Sequence, residues 1–249
     1  MIEINHLVKK YGTNFAVDDI SFSVKEGEVL GFLGPNGAGK TTTMNILTGY
    51  LSATSGSAKI AGIDILENPM EAKKHIGFLP EHPPLYLDMT VKEYLNFVYN
   101  LKKCTLNRKK HIAEICSVIK IEEVYKRPIS HLSKGYRQRV GIAQALIGNP
   151  DVLIFDEPTV GLDPKQIIEI RNLITGLGKK HTIILSSHIL PEVQSVCGRI
   201  VIINKGKIVA DAKTHELEVL TGARKHIAKI TGNSSEVQRM ISGIVGMPR

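Results

Sequence analysis

Apolar and polar residues follow two distinct periods along the chain, and their order predicts a mixed α/β protein. Residues 2–4 and 20–24 alternate between apolar and polar side chains, which is typical of half-buried antiparallel strands. Residues 57–60 are expected to join this small sheet, and residues 199–210 to form a hairpin. Short, mainly apolar runs predict buried strands of a parallel sheet at residues 29–33, 76–80, 152–155 and 182–187.

The period becomes helical at Thr90, where Thr90 and Glu93 form a capping-box pattern. Asp163 is expected to cap a later helix. Because strands and helices alternate over the rest of the chain, we predict a parallel sheet with right-handed crossovers. The predicted fold class is therefore α/β, with an N-terminal antiparallel β subdomain and a helical insert at about residues 85–148.

Residues 34–41 read GPNGAGKT and fit the phosphate-loop pattern G-x-x-x-x-G-K-[ST] at every fixed position. The loop follows a predicted strand and opens a helical pattern that extends over residues 40–50. Loop amides and the helix dipole favour phosphate oxygens, so Lys40 is expected to reach the β- and γ-phosphates and Thr41 to bind Mg²⁺. An ordinary glycine-rich turn is the alternative. The candidate nucleotide-binding residues are Gly34, Pro35, Asn36, Gly37, Ala38, Gly39, Lys40, Thr41 and Thr42.

Polar groups follow two of the predicted core strands. Asp156 is placed to hold Mg²⁺, usually through water, and Glu157 is the candidate general base or water-positioning group. A structural ion pair is the alternative role for these two carboxylates. His188 follows the strand at 182–187 on the side of the sheet where ligands bind, and is a candidate donor to a γ-phosphate. The alternative role for His188 is that of an ordinary hydrogen-bonded histidine.

A second candidate anion site precedes the apolar helical pattern at residues 140–147. Ser133 is a natural N-cap, and Gly135 permits close approach of a ligand to the backbone. The start of a helix attracts anions because its amide groups are unpaired. A plain helix cap is the alternative.

Composition narrows the class of protein without identifying it. The net charge of +8 indicates either attraction to an anionic partner or a solvated basic face. Apolar residues make up 43% of the chain, enough for a sizeable core, and no run approaches the roughly 18 apolar residues of a membrane span. The three cysteines are scattered, which indicates reduced thiols and not a disulfide framework or a metal site. They are Cys104, Cys116 and Cys197.

The order of these motifs resembles the nucleotide-binding subunit of an ABC transporter. The segments that carry the resemblance are residues 34–41, 132–135 (LSKG), 155–158 (FDEP), 161–163 (GLD) and His188. The resemblance covers about residues 1–220 and rests on a highly specific set of motifs. Within the family, residues 79–86 and 133–139 are most similar to the gliding-motility and drug-export branch of bacteria.

The resemblance implies a P-loop NTPase core, RecA-like, that hydrolyses ATP with Mg²⁺ to power a membrane exporter. It implies two partners, an integral membrane permease in a separate chain and a second nucleotide-binding subunit in a homodimer, and no nucleic acid. The subunit would lie in the cytoplasm on the inner face of the cell membrane. Tyr11 would stack on adenine, while Ser133 and Gly135 would contact the γ-phosphate held by the other subunit. Asp163 would belong to the loop that links the two sites.

Two positions depart from the family pattern. The usual Ser-Gly-Gly-Gln signature reads Ser133-Lys134-Gly135-Tyr136 here, and Lys134 cannot replace glycine if the backbone requires a positive φ. Glu81 stands where the family has glutamine; it keeps an oxygen for Mg²⁺ or water but loses the amide donors. Glu81 therefore joins Thr41 and Asp156 as a candidate metal ligand.

Two other functions remain open at the level of sequence. One is a soluble ABC ATPase of DNA repair or the ribosome, although the roughly 90 residues between Lys40 and Ser133 leave no room for the long coiled coils of chromosome ATPases. Ribosome-acting members usually carry two such domains in one chain. The other is a regulatory subunit with negligible turnover, against which Glu157 and His188 argue.

The C-terminal residues show a separate pattern. Residues 225–231 predict a strand and residues 234–244 a helix. We predict that an accessory domain begins at about residue 221 and is cut short at 249. A ragged natural tail is the alternative.

Overall fold

The computed structural model describes residues 1–216 of the 249-residue chain. The strand predicted at 225–231, the helix at 234–244 and the accessory domain predicted from 221 lie outside the described residues. Met1–Thr214 forms one compact unit. Its strands are β1 (Ile2–Tyr11), β2 (Asn14–Val24), β3 (Val29–Leu33), β4 (Ser55–Ile60), β5 (Ile63–Asp64), β6 (Ile76–Leu79), β7 (Val152–Phe155), β8 (Thr182–Ser187), β9 (Arg199–Asn204) and β10 (Lys207–Lys213).

The smaller sheet is antiparallel and has the strand order β2-β1-β4-β5. The alternating pattern of the sequence explains it, since Ile2 and Ile4 on β1 face inward together with Ile20 and Val24 on β2. Ile2 pairs with Val24, and Ile4 pairs with Phe22. The predicted N-terminal β subdomain is confirmed.

The larger sheet has the order β10-β9-β3-β8-β7-β6. All of its neighbouring strands are parallel except β10, which pairs antiparallel with β9 in the predicted hairpin. Strands β7 and β8 are buried at every residue, as expected of central strands covered on both faces. Strand β3 lies directly beside β8, and β8 lies directly beside β7, so their carboxyl ends meet at one edge.

The helices coincide with the segments in which apolar residues recur at a helical period. The capping box at Thr90 forms as predicted, with the Thr90 side chain accepting from the Glu93 amide and the Glu93 carboxylate accepting from the Thr90 amide. Asp163 caps its helix by accepting from the Gln166 amide at 2.9 Å. The helices are α1 (Lys40–Leu47), α2 (Pro69–Ala72), α3 (Val91–Leu101), α4 (Arg108–Ile119), α5 (Lys134–Leu146), α6 (Pro164–Leu177) and α7 (Leu190–Gln194).

Two helix boundaries differ from the sequence pattern. Helix α1 ends at Leu47 and does not continue to Tyr50, because Gly49 adopts a left-handed conformation with φ of 64°. Helix α5 begins at Lys134, whereas its apolar pattern begins only at residue 140. Its first turns carry mainly polar side chains, although Gly135 and Gln138 are buried, and Ser133 caps the helix through the Tyr136 amide as predicted.

The core joins both sheets beneath the phosphate loop. Phe22 of the small sheet stacks on Phe32 of β3 with ring centroids 5.4 Å apart. Met44 and Leu47 of α1 are fully buried in the same cluster. Burying side chains of this size contributes about 1.5–3 kcal/mol each, so the loop between β3 and α1 is anchored at both ends.

Candidate functional site

The topology brings three polar segments to one edge of the large sheet. The phosphate loop follows β3, Asp156 and Glu157 follow β7, and His188 follows β8. Leu33 pairs with Ser187, and Phe155 pairs with Leu185, so the three strands end at nearly the same height. The predicted convergence of these segments therefore occurs.

Glycines of the phosphate loop occupy positions that other residues would not tolerate. Gly39 has φ of 109°, and a Cβ there would lie 2.4 Å from the carbonyl oxygen of Ala16. A Cβ on Gly34 would lie 2.3 Å from the carbonyl oxygen of Ile203. Gly37 has φ of 78°, and a Cβ there would meet no atom within 4 Å, so only its backbone conformation favours glycine. The loop thus needs glycine for backbone conformation and for close packing, and it presents bare backbone outward.

Lys40 is the first residue of α1 and is buried, with 6% of its surface exposed. Its Nζ donates to the carbonyl oxygen of Gly34 at 2.7 Å and lies 3.2 Å from Glu157 Oε1. Both members of this ion pair are almost fully enclosed. A buried ammonium needs an anionic or carbonyl partner, and here the phosphate loop and the segment after β7 supply one each.

Glu157 leaves β7 in a left-handed backbone conformation, with φ of 47°. This region is rarely occupied by residues with long side chains and is held here by the surroundings. The Glu157 amide donates to Ser186 Oγ at 2.9 Å, while Ser186 Oγ donates to Asp156 Oδ1 at 2.5 Å. His188 Nδ1 lies 3.0 Å from Glu157 Oε2. Ser186 therefore holds the Asp156 carboxylate and the main chain of Glu157, while His188 contacts the Glu157 carboxylate.

These groups surround a cleft of about 380 Å³. The cleft gathers most of the predicted phosphate-loop residues together with Glu81, Glu157 and His188. Ala16 and Val160 complete its walls, and neither had a signal in the sequence. The predicted residues that line the cleft are Asn36, Gly37, Gly39, Lys40, Thr41, Thr42, Glu81, Glu157 and His188.

Three predicted ligand contacts lie away from this cleft. Tyr11 ends β1 and is 52% exposed, with the Lys9 ammonium 5.2 Å from its ring centroid. Ser133 and Gly135 lie at the start of α5, and Gly135 instead lines a larger cleft of about 950 Å³ between α4, α5 and α6. A Cβ on Gly135 would lie 2.6 Å from the end of the Gln166 side chain, which packs against this glycine.

Lys134 occupies the first helical position of α5. The positive φ that would have required glycine does not arise, because a residue inside a right-handed helix has negative φ. Its ammonium lies over Gly161, where a methyl group would overlap Nζ. The departure at Lys134 is thus accommodated by the backbone of α5 and by a glycine in the loop before α6.

The oxygen groups near the phosphate loop fit a magnesium ion. Thr41 and Glu81 line the cleft, and Asp156 is 1% exposed with Oδ1 accepting from Ser186. Hydroxyl and carboxylate oxygens suit Mg²⁺, which keeps several waters and binds phosphates in such sites. Within residues 1–216 there is no group of three or more His, Cys, Asp or Glu side chains placed to hold a metal alone. The donor set therefore suits an ion bound together with phosphates.

Several buried polar residues near the site were missed from the sequence. Ser186 contacts the Asp156 carboxylate and the Glu157 amide, and Gln138 Nε2 donates to the Pro158 carbonyl oxygen at 2.9 Å. Thr159 Oγ1 donates to Glu192 Oε2 at 2.5 Å. The one available signal was polarity in apolar surroundings, as in the two serines that end the β8 run.

Across residues 1–216, no helix is long and apolar enough to cross a membrane.

Comparisons with known proteins agree with one another. A family model described as ABC transporter matches residues 17–160. The bacitracin transport ATP-binding protein BcrA of Bacillus licheniformis is 39% identical over 213 residues, which cover 85% of this chain and 69% of the relative. The linearmycin resistance ATP-binding protein LnrL of Bacillus subtilis (strain 168) is 35% identical over 98% of this chain and 76% of its own. A dimeric ATP-binding cassette solved in a post-hydrolysis state with ADP and Pi has a TM-score of 0.77, 25% identity, and coverage of 86% of this chain and 99% of its own.

Proposed function

Because the chain belongs to the ABC transporter family as an ATP-binding ATPase subunit, we propose that it powers an exporter by ATP-driven dimerisation. The observation that supports this proposal best is the meeting of Lys40, Glu157 and His188 at adjacent strand ends. The names of relatives that act in bacitracin transport and linearmycin resistance support the outward direction.

The proposed roles follow from the geometry of these three residues. The Lys40 ammonium transfers its hydrogen bond from the Gly34 carbonyl oxygen to phosphate oxygens, and its positive charge offsets their negative charge. That transfer frees Glu157 to orient the attacking water. His188 already directs Nδ1 at Glu157, so Nε2 is the nitrogen that faces the γ-phosphate, and it donates only when the ring carries both protons.

Magnesium, when bound, would offset the charge that develops on the phosphate oxygens. In this proposal Thr41 and Asp156 hold the ion, with Glu81 contributing an oxygen directly or through water. Ser186 keeps Asp156 oriented for that task through its 2.5 Å hydrogen bond. Tyr11 is proposed to stack on adenine, which its exposed ring permits.

A second copy of the chain is the proposed nucleotide-dependent partner. Ser133 and Gly135 do not line the phosphate cleft of their own chain, so they contact that γ-phosphate only if another subunit presents them. The dimeric cassette among the similar structures supports this arrangement. Each ATP would then join the phosphate loop of one subunit to the α5 start of the other.

The helical insert is the proposed contact with a separate membrane permease. Tyr86, Leu87 and Leu101 expose 49%, 47% and 68% of their surfaces, and the Tyr86 ring packs edge-on against Phe97 at 5.3 Å. Exposed aromatic and aliphatic groups of this kind are typical of protein interfaces. The subunit would accordingly work on the cytoplasmic face of the cell membrane, without nucleic acid.

Phosphate release from Mg-ATP by the purified chain is the direct test of this function. We expect hydrolysis together with an ATP-dependent dimer on size-exclusion chromatography with light scattering. Co-purification with a multi-span membrane protein would support the transport role. A chain that hydrolyses ATP but associates with ribosomes or DNA would contradict it in favour of a non-transport ABC ATPase.

A further inference from the structure

Three consecutive residues after β7 are each held by a buried side chain from a different element. The Glu157 amide donates to Ser186 of β8, and the Pro158 carbonyl accepts from Gln138 of α5. The next residue, Thr159, donates its hydroxyl to Glu192 of α7 at 2.5 Å. The segment that carries the Glu157 carboxylate is thus tied to three elements of the core, β8, α5 and α7.

The contact between Thr159 and Glu192 adds a second link between the Glu157 loop and the His188 segment, beside the bond from the Glu157 amide to Ser186. Glu192 lies on α7, which begins two residues after His188, and Thr159 lies two residues after Glu157. Both side chains are buried, with 7% of each residue exposed. The distance between the Glu157 loop and the His188 segment is therefore set partly by this hydrogen bond.

The charge of Glu192 is only loosely compensated. Arg171 of α6 places NH2 3.6 Å from Glu192 Oε1, and its Nε is buried with no hydrogen-bond partner among the described residues. A buried carboxylate whose cation lies 3.6 Å away costs free energy of desolvation that apolar packing would not cost. Stability alone thus gives little reason for an acid at this position. The hydrogen bond that the carboxylate accepts from Thr159 gives a better one, because it fixes the position of the Glu157 loop.

We propose that Glu192 is a positioning residue for ATP hydrolysis, acting through Thr159 to hold the Glu157 carboxylate against His188. The inference rests on the roles proposed above for Glu157 and His188. If the link breaks, the loop after β7 can shift relative to α7, and the 3.0 Å contact between His188 and Glu157 lengthens. Nucleotide affinity should change little, because the groups proposed to contact the phosphates lie on the loop between β3 and α1.

The test compares Thr159→Val and Glu192→Ala with the wild type in kcat, KM and ATP affinity. We expect kcat to fall roughly 10- to 100-fold, as for other misplaced catalytic groups, while the ATP dissociation constant stays within about twofold. The double variant should lose no more than the worse single variant, because both break one link. Thr159→Ser keeps the hydroxyl and should restore most of kcat.

Two controls separate positioning from loss of stability. Thr175→Val removes a hydroxyl that bonds only within α6, and Glu28→Gln weakens the ion pair with Arg199 at the opposite end of the strands. Both should keep kcat, and urea unfolding should show every variant folded under assay conditions. Thr159→Val changes little volume, so it serves alone if Glu192→Ala does not fold.

The outcomes distinguish the inference from the function on which it rests. Additive losses in the double variant, equal losses of kcat and ATP affinity, or unchanged kcat in Thr159→Val would each overturn the positioning role while leaving the ATPase in place. A wild-type chain without ATP hydrolysis would overturn the proposed function itself.

Discussion

Lys40 Nζ and Glu157 Oε1 lie 3.2 Å apart in an almost fully enclosed ion pair. The pair joins the phosphate loop after β3 to the end of β7, although β8 separates the two strands. A phosphate that attracts Lys40 therefore also changes the environment of Glu157. In the proposed function, nucleotide binding and hydrolysis are therefore coupled through this single ammonium group.

Glu157→Gln should retain ATP binding and nearly abolish turnover. The amide keeps the shape of the side chain but is a far weaker base than the carboxylate and does not form the ion pair. We expect an ATP-bound dimer that persists on size-exclusion chromatography, with hydrolysis reduced on the order of 100-fold or more. Near-normal hydrolysis by this variant would remove Glu157 from the proposed role.

Lys40→Ala should weaken nucleotide binding itself. The variant loses the cation that faces the loop and leaves Glu157 without its closest charge partner. Charge-assisted contacts of this kind contribute about 1.5–3 kcal/mol, so calorimetry should show ATP affinity lower by at least tenfold. Lys179→Ala, at an exposed cation after α6, is the control for nonspecific charge effects. Equal affinity in Lys40→Ala and wild type would contradict the assignment.

Ser186→Ala tests how the two carboxylates are oriented. The change removes the acceptor for the Glu157 amide and the donor to Asp156, and leaves a buried amide without its partner. We expect a loss of about 1–3 kcal/mol in the free energy of unfolding, together with a fall in kcat beyond any loss of folded protein. Thr48→Val, whose hydroxyl bonds only to Asn45 nearby in sequence, should lose far less activity. Equal kcat in Ser186→Ala and wild type would show that the carboxylates need no such support.

The cysteines predict a specific dependence of stability on pH. Burial raises the pKa of the Cys116 thiol to about 11, and burial also raises the pKa of Cys197. As the pH rises above the ordinary thiol pKa of 9.0, the unfolded chain releases these protons before the folded chain does. This contribution to stability is complete below pH 9 and is lost as the pH approaches 11.

Urea unfolding at pH 8 and pH 10 measures this effect. The loss of stability between the two pH values should be smaller in Cys116→Ala than in wild type, whatever the offset caused by the cavity. In native protein at pH 8, iodoacetamide should modify the half-buried Cys104 before Cys116 and Cys197, and modify all three readily in urea. Rapid native labelling of Cys116 would contradict its burial.

Local motifs allowed much of the site to be predicted, and long-range contacts set the rest. Residues 34–41 could be assigned because the loop, its strand and its helix are adjacent in sequence, and alternation identified β1 and β2. The cap at Ser133 was identified from the sequence, but the first turns of α5 carry no apolar period, because buried Gly135 and Gln138 lie among polar residues. Glu192 has no local signature at all, since its partner Thr159 lies 33 residues away and only the packing of α7 brings them together.

The left-handed turn at Glu157 has a consequence for protein engineering. The direction of this carboxylate is set by the bend of the main chain and by the serine beneath it, more than by a choice of rotamer. Grafting an aspartate–glutamate pair onto the end of an unrelated strand would therefore aim the second acid elsewhere. A transplant of this chemistry has to carry the bend, Ser186 and the adjoining strand as one piece.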